Sequence, residues 1–584
     1  MTPSDGPPIA APRRGGLPVV LAALLVAAGP LFVYDHTRGD TLSADEPIHL
    51  LSGFLMVQRQ TAIVNIEHPP LMKVLAGLAV STLDLAPAPE KIPMGASFWD
   101  WGHPFLFGNR VPVDTILAAA RAPFLILFAL LLALVFVAAR ARWGNTPALF
   151  ATALCAFDPN LVAHAGVVHT DLGAALTFLA AILAWDAALR RPGAFRAAMA
   201  AAALGTALLT KFSSIYLIPI LLLQGLVAAR GDANMGPAVR RMALTLLVVC
   251  AGAGLLVVGL YAIVTAHMDP ALQRGVIHEM VGLRAAPGLS AALERLSGVC
   301  PPLAHYLGGL ASVLQQNAMG GGVNFLNGQL RVAEGFPSYF FVAFAAKSAP
   351  AFVLLAALLP VALLRKGAGA REEARVFLLP VGVLFLASVG SSYNIGIRHL
   401  LPVYPLLAMA GGGLLARLSP RRMFAGALAL LALVSGVELA RIHPHELSYF
   451  NPFVGGPEGG ARILSDSNID WGLELNRLGG ELRRRGVSDP TVVYFGGDDV
   501  LYRTGVPDFF AAPERRTAFV AVSAVWAAIG PAFLRYHGDP ERAQALESLL
   551  FDLARRGRRV GRVGYAIDLW ELPNAPKGAH AATP

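Results

Sequence analysis

Apolar residues recur along the chain in blocks of about a bilayer's width, and the polar stretches between them differ in kind: basic clusters alternate with stretches that hold acids and histidines. The blocks are Leu17–Tyr34, Ile116–Ala139, Pro147–Ala163, Leu172–Leu189, Ala197–Leu209, Phe212–Ala229, Met242–Thr265, Tyr339–Leu364, Val376–Ser391, His399–Ala416 and Met423–Ala440. A helix needs roughly 20 apolar residues to cross the hydrocarbon core. Some blocks are shorter, and the two flanking Lys211 are nearly fused. The pattern predicts a polytopic α-helical membrane protein with about eleven transmembrane helices. After Ala440 the pattern becomes that of a small soluble domain. Thr491–Gly497, Thr517–Ala528 and Arg562–Leu572 read as buried strands, with helical periodicity near Leu473–Arg485 and Glu541–Arg556. That alternation predicts an α/β domain.

The organisation expected is a tail over 1–16, a membrane domain over 17–440 with long outer loops at 35–115 and 266–338, an α/β domain over 441–572 and a tail over 573–584. Arg13/Arg14, Arg140/Arg142, Arg190/Arg191/Arg196, Arg230/Arg240/Arg241, Arg365/Lys366/Arg371/Arg375 and Arg417/Arg421/Arg422 occupy every second connection. The positive-inside rule assigns these to the cytoplasm. The alternate connections and the C-terminal domain are then extracytoplasmic. The first block has no small-residue cleavage site before Asp45, so it is expected to be an uncleaved helix.

Composition agrees. Of 584 residues, 55% are hydrophobic and 15% charged, too apolar for an ordinary soluble globule. The net charge of +9 resides in the loops between spans, so the expected partner is membrane lipid and not nucleic acid. The frequent Ala, Arg and Pro hint at a GC-rich bacterial genome. Cys155, Cys250 and Cys300 have neither disulfide nor metal-binding spacing.

Candidate chemistry lies at the outer membrane edge. Asp45 and Glu46 follow the first block, and Pro47 puts Glu46 near a helix cap. Either acid could serve only as a cap and dipole partner, or one could face a substrate. His68-Pro69-Pro70 and Lys73 close that stretch. His164, His169 and Asp171 precede another span, where Asp171 also fits a cap. Lys211 and Arg398 are cations at outward turns, exceptions to the positive-inside pattern; they either snorkel or hold an anionic ligand, with Lys73 and Lys347 as further candidates. No HExxH or similar ligand pattern occurs, so no cofactor is expected, with a divalent ion left open. In the DSNIDWG run, Asp466, Asn468, Asp470 and Trp471 form either a cap or a loop touching sugar or acceptor.

Taken in order, the acidic pair, HPPLMK, HTD, LTKFS, NGQL…GFPSYFFVAFAAKSAP, GIRHLLPVYP and SYFNPFVGGP…DSNIDWG resemble a GT-C membrane glycosyltransferase. The closer resemblance is to the bacterial phospholipid-carrier-dependent glycosyltransferases of family 39, relatives of protein O-mannosyltransferases and aminoarabinose transferases. It spans about Asp45 to Gly472. It implies transfer of a monosaccharide, hexosyl or pentosyl, from a polyprenyl-phosphate carrier to an acceptor hydroxyl of protein Ser/Thr, a lipid or an envelope glycan. It also implies a place in the bacterial cytoplasmic membrane, with the work done on its outer face. The family's first-loop catalytic acid carries over to Asp45, with Glu46 beside it. Aminoarabinose transferases tend to have Lys where His68 stands, which argues against that sugar.

The residue types suit this chemistry. A carboxylate can take the acceptor's proton, and a phosphate leaving group needs cations more than an acid. The expectation is Asp45 as base, Glu46 and Asp171 as positioners, and His68, Lys73, His169, Lys211 and Arg398 around the substrate, with inversion at the sugar carbon. A secondary transporter or a non-catalytic envelope-assembly protein is the alternative. The chain shows no repeat relating its halves, and its acids cluster in an outer loop rather than at mid-span.

Overall fold

Block after block, the apolar runs fold as helices. The computed structural model describes residues 16–88, 98–278, 287–364, 368–417 and 421–573; most of the two expected tails and parts of both long loops lie outside these. Among the described residues, five helices are long and apolar enough to cross a membrane: Gly16–Thr37 (α1), Val113–Trp143, Asp171–Arg190, Phe212–Ala229 and Met235–Val264. Asn145–Ala156 and Pro159–Ala165, bent by 61° where they meet, add a sixth if taken as one span. Of the other expected spans, Met423–Ala440 lies within one helix, Arg421–Ile442, and the rest are helical but shorter or interrupted. Tyr339–Leu364 is two helices, Tyr339–Lys347 and Pro350–Leu364, because Pro350 disfavours helical geometry in the residue before it.

The outer faces of these helices are apolar. Leu17, Leu24 and Leu31 on α1, Ile126, Leu130 and Val137 on Val113–Trp143, and Leu244, Leu247 and Leu255 on Met235–Val264 are all exposed. Helical stripes of exposed Leu, Ile and Val suit contact with lipid tails, and the chain is a multi-pass membrane protein. Inward, Phe128, Phe178, Trp185, Phe352 and Tyr404 fill one continuous core. Asp186, buried in that core, binds Arg142 at 2.8 Å, Arg375 at 2.6 Å and Arg190. Three of the basic loop residues thus tie neighbouring helices together at one end of the bundle.

The long loops are not irregular. The first contains helices Glu46–Gln58 (α2) and Pro70–Val80 (α3), too short to span, which meet at two glycines. A Cβ at Gly53 would lie 2.1 Å from the Lys73 carbonyl, and one at Gly77 would lie 2.2 Å from the Gly53 carbonyl. The second holds helices Pro270–Ile277, Pro287–Val299 and Pro301–Ala318, then a hairpin of β1 (Val323–Leu326) and β2 (Gln329–Val332). Asn327 and Gly328 turn the hairpin with positive φ, as a tight two-residue turn requires.

The C-terminal domain is a mixed four-stranded sheet ordered β3-β4-β6-β5, from β3 (Thr491–Val493), β4 (Phe519–Ser523), β5 (Arg558–Val563) and β6 (Ile567–Glu571). Only β3 and β4 run parallel. Leu475, Leu478 and Leu482 of helix Leu475–Arg484 cover one face. Leu534, Leu546, Leu549 and Leu553 of helices Ala524–Tyr536 and Pro540–Arg556 cover the other. Two expected strands come out differently. Thr517–Ala528 ends early because Ser523 caps a helix by accepting from the Val525 amide at 3.2 Å. Arg562–Leu572 is not one strand, because the chain turns at Gly564 with φ +52 and pairs β5 with β6.

Candidate active site

Thr41 to Glu46 form a strap joining α1 to α2 and pinned to the loop before the C-terminal domain. The Thr41 amide donates to the Leu473 carbonyl at 3.0 Å and the Ala44 amide to the Trp471 carbonyl at 2.9 Å. Glu46, expected beside Asp45 in the chemistry, is fully buried. Its carboxylate accepts from Arg121 at 2.7 and 2.8 Å, from the Ser43 amide at 2.8 Å and from the Val168 amide at 2.9 Å. It thereby holds the strap, helix Val113–Trp143 and the HTD stretch in one register.

Asp45 does the opposite. It stands at the N-cap of α2, yet its side chain makes no cap hydrogen bond. Its Oδ2 instead receives Arg398 Nη1 at 3.1 Å and lies 3.4 Å from His169 Nε2. His169 Nδ1 in turn lies 2.8 Å from Asp171 Oδ2, and Asp171 also binds Lys211 and lies 4.0 Å from Arg398. Arg398 stacks over Trp471 at 4.3 Å, a favourable cation–π geometry, and its buried Nε has no partner among the described residues. Asp45, His169, Asp171, Lys211 and Arg398, scattered over more than 350 positions of sequence, form one network.

Its electrostatics follow from burial and pairing. Burial would raise the Asp45 carboxyl, but the His169 hydrogen bond and the Arg398 charge outweigh it and hold the group below the usual carboxylate range. Burial would lower His169, but Asp171 and Asp45 raise it. Asp466, half-buried nearby at φ +59, is pushed up by desolvation to about 6.

Two cavities meet at this network. One, of about 760 Å³, lies against the C-terminal domain and is lined by Asp466, Trp471, Phe495, Trp526, Phe533 and Tyr536. The other, of about 550 Å³, reaches between the spanning helices. Lys211, His399, His68 and His169 give it a polar lining, and Phe178, Ile215, Leu310, Leu314 and Leu384 an apolar one. Asp45, Gln316, Tyr393, Ile395 and Arg398 line both.

Of the expected substrate residues, Lys73 is set apart. Fully buried, its Nζ donates to the Asn65 carbonyl at 2.7 Å and lines neither cavity. It stabilises Asn65, which has positive φ. Lys347 likewise donates to the carbonyls of Leu447 and Asn468. The DSNIDWG run splits. Asn468 Oδ1 accepts from the Ile397 amide at 3.0 Å, which supports Arg398, while Asp466 and Trp471 face the first cavity. Sequence reasoning missed His49, Gln316 and Tyr393. His49 carried a legible signal, since it sits four residues after Asp45 and shares its helical face.

No protein-family model matches the chain, and no curated protein matches it in sequence. Among solved structures it is similar to the Archaeoglobus fulgidus oligosaccharyltransferase in the apo form, at 12% identity and TM-score 0.49, covering 91% of this chain and 72% of that one. It is also similar to ArnT from Cupriavidus metallidurans bound to undecaprenyl phosphate, at 13% identity and TM-score 0.45, covering 96% and 99%. A third is the archaeal oligosaccharyltransferase AglB of Archaeoglobus fulgidus with an inhibitory peptide and a dolichol-phosphate, at 11% and 0.46, covering 90% and 72%.

Proposed function

We propose that this protein is a GT-C membrane glycosyltransferase that moves a monosaccharide from a polyprenyl-phosphate carrier to an acceptor hydroxyl. The observation that supports it is the meeting of two chambers at one carboxylate. A direct displacement needs nucleophile and leaving group on opposite sides of the sugar carbon. The chamber between spanning helices, with both apolar and cationic side chains in its lining, suits a lipid phosphate. The aromatic chamber against the C-terminal domain suits the acceptor.

In this reading Arg398 and Lys211 hold the phosphate, and Asp171 and His169 orient them. The acceptor oxygen bonds to the sugar carbon while the bond from that carbon to the phosphate oxygen breaks. The acceptor proton passes to Asp45, and the carrier phosphate leaves with the bonding electrons, its charge held by the cations. A carboxylate clamped by Arg398 is a weak base. A donor phosphate that draws Arg398 toward itself frees Asp45, so donor binding raises the base's proton affinity just as it is needed. Asp466, with its higher proton affinity, faces the acceptor side and is the second carboxylate to test.

The experiment is transfer of labelled sugar from a panel of polyprenyl-phosphate monosaccharides into membranes holding wild type, Asp45→Asn or Asp466→Asn at matched expression. Asp45→Asn is expected to lower transfer by about 10²–10⁴-fold, with an inverted product. Full activity of Asp45→Asn with loss in Asp466→Asn would move the base to Asp466. A retained anomeric configuration, or a covalent glycosyl-enzyme, would exclude direct displacement.

A further inference from the structure

Three histidines from three separate segments converge on the wall of the membrane-side chamber. His49 lies on α2 one turn beyond Asp45, His68 at the corner before α3, and His169 in the HTD stretch. Their ring centroids are 4.8, 4.8 and 5.2 Å apart. One nitrogen from each lies within 4.8 Å of the other two.

This is a poor way to pack histidines for their own sake. His49 is 1% exposed, yet neither of its ring nitrogens has a hydrogen-bond partner among the described residues, and neither does His68 Nδ1. A buried polar atom without a partner is costly. His169 differs in a telling way. Asp171 Oδ2 lies 2.8 Å from its Nδ1, a carboxylate behind the ring of the kind that positions a metal-ligating histidine.

We propose that His49, His68 and His169 Nε2 bind one divalent transition metal ion of the zinc class, with a fourth position open to the chamber that all three line. Three imidazoles without a cage of oxygens select zinc, cobalt or nickel over magnesium or calcium. Zinc–nitrogen bonds of about 2.0–2.1 Å require the rings to close inward on binding. Arg398 Nη1, 3.3 Å from His169 Nε2, gives up that contact to the ion on binding. The site goes beyond the transferase reading and stands or falls without it.

The test uses the full chain, purified without a polyhistidine tag, stripped with chelator, reloaded with Co²⁺ and freed of excess metal. Wild type is expected to retain one cobalt per chain with the visible absorption of a tetrahedral site, bleached by Zn²⁺. His49→Gln and His68→Gln should each weaken retention by at least about tenfold. His305→Gln, at a buried histidine outside both cavities, should not. His68→Cys should keep cobalt and gain a thiolate-to-cobalt charge-transfer band, a positive signal that misfolding cannot imitate. Wild type that melts cooperatively but retains no cobalt would overturn the proposal. So would unchanged retention in His49→Gln/His68→Gln, or cobalt kept by His68→Cys without the new band.

Discussion

Adjacent in sequence, Asp45 and Glu46 have opposite jobs. Glu46 is wholly buried on Arg121 and two backbone amides, so Glu46→Gln leaves a buried guanidinium short of its counter-charge. Breaking such a pair costs about 3–5 kcal/mol, and the expected result is a lower thermal midpoint and lower yield. Asp45→Asn removes a group that faces the chambers, so its thermal midpoint should stay within a degree or two of wild type while transfer collapses. Equal effects of the two substitutions on stability would contradict the division. His443, just past helix Arg421–Ile442, gives a pH signature. Its Nδ1 lies 2.5 Å from Glu446 and its Nε2 2.9 Å from Asp35, and the Glu446 hydrogen bond, against partial burial, helps raise it to about 9. A raised histidine stabilises fully below its unfolded pKa of about 6.5 and loses that contribution as pH rises through the folded value. The thermal midpoint should therefore fall between about pH 6.5 and 9, and His443→Gln should flatten that part of the profile.

Helices α2 and α3 carry His49 and His68 and touch backbone to backbone at Gly53 and Gly77. Gly53→Ala places a methyl group where the Lys73 carbonyl stands, and the helices must separate. Overpacking of this kind costs about 1–3 kcal/mol, and the separation moves His49 away from His68. Loss of both thermal stability and transfer is expected, measured by melting and by the labelled-sugar assay. The broken run at Ser348–Ala349 illustrates the same point from the other side, because an interruption that shortens a span also sets Lys347 against the Leu447 and Asn468 carbonyls that shape the loop under Arg398.

Across the whole molecule, the strap at residues 41–44 is hydrogen-bonded to residues 471–473, so the C-terminal domain and the first outer loop are built against each other. This bounds the aromatic chamber with Phe533 and Tyr536 from helix Ala524–Tyr536. Tyr536→Ala is expected to raise the acceptor KM several-fold and leave the donor KM unchanged, read by steady-state kinetics with each substrate varied in turn. A change in donor KM alone would place the acceptor elsewhere.

Hydropathy made the membrane domain and the soluble domain legible, because desolvating the backbone in lipid forces helices wherever the chain is apolar. It also exposed Asp45, Asp171, Lys211 and Arg398, since ionised groups at a membrane edge are costly enough to stand out. What it left open was which of two adjacent acids faces the cavity and which cations face an anion. Lys73 and Lys211 look alike as letters; one is consumed by a backbone carbonyl and the other reaches Asp171. Glu46 met Arg121 and Val168, His49 met His68 and His169, and the two chambers met at Asp45 only once distant segments had packed. Those are long-range contacts, set by how buried helices and loops close on one another, and no local periodicity encodes them.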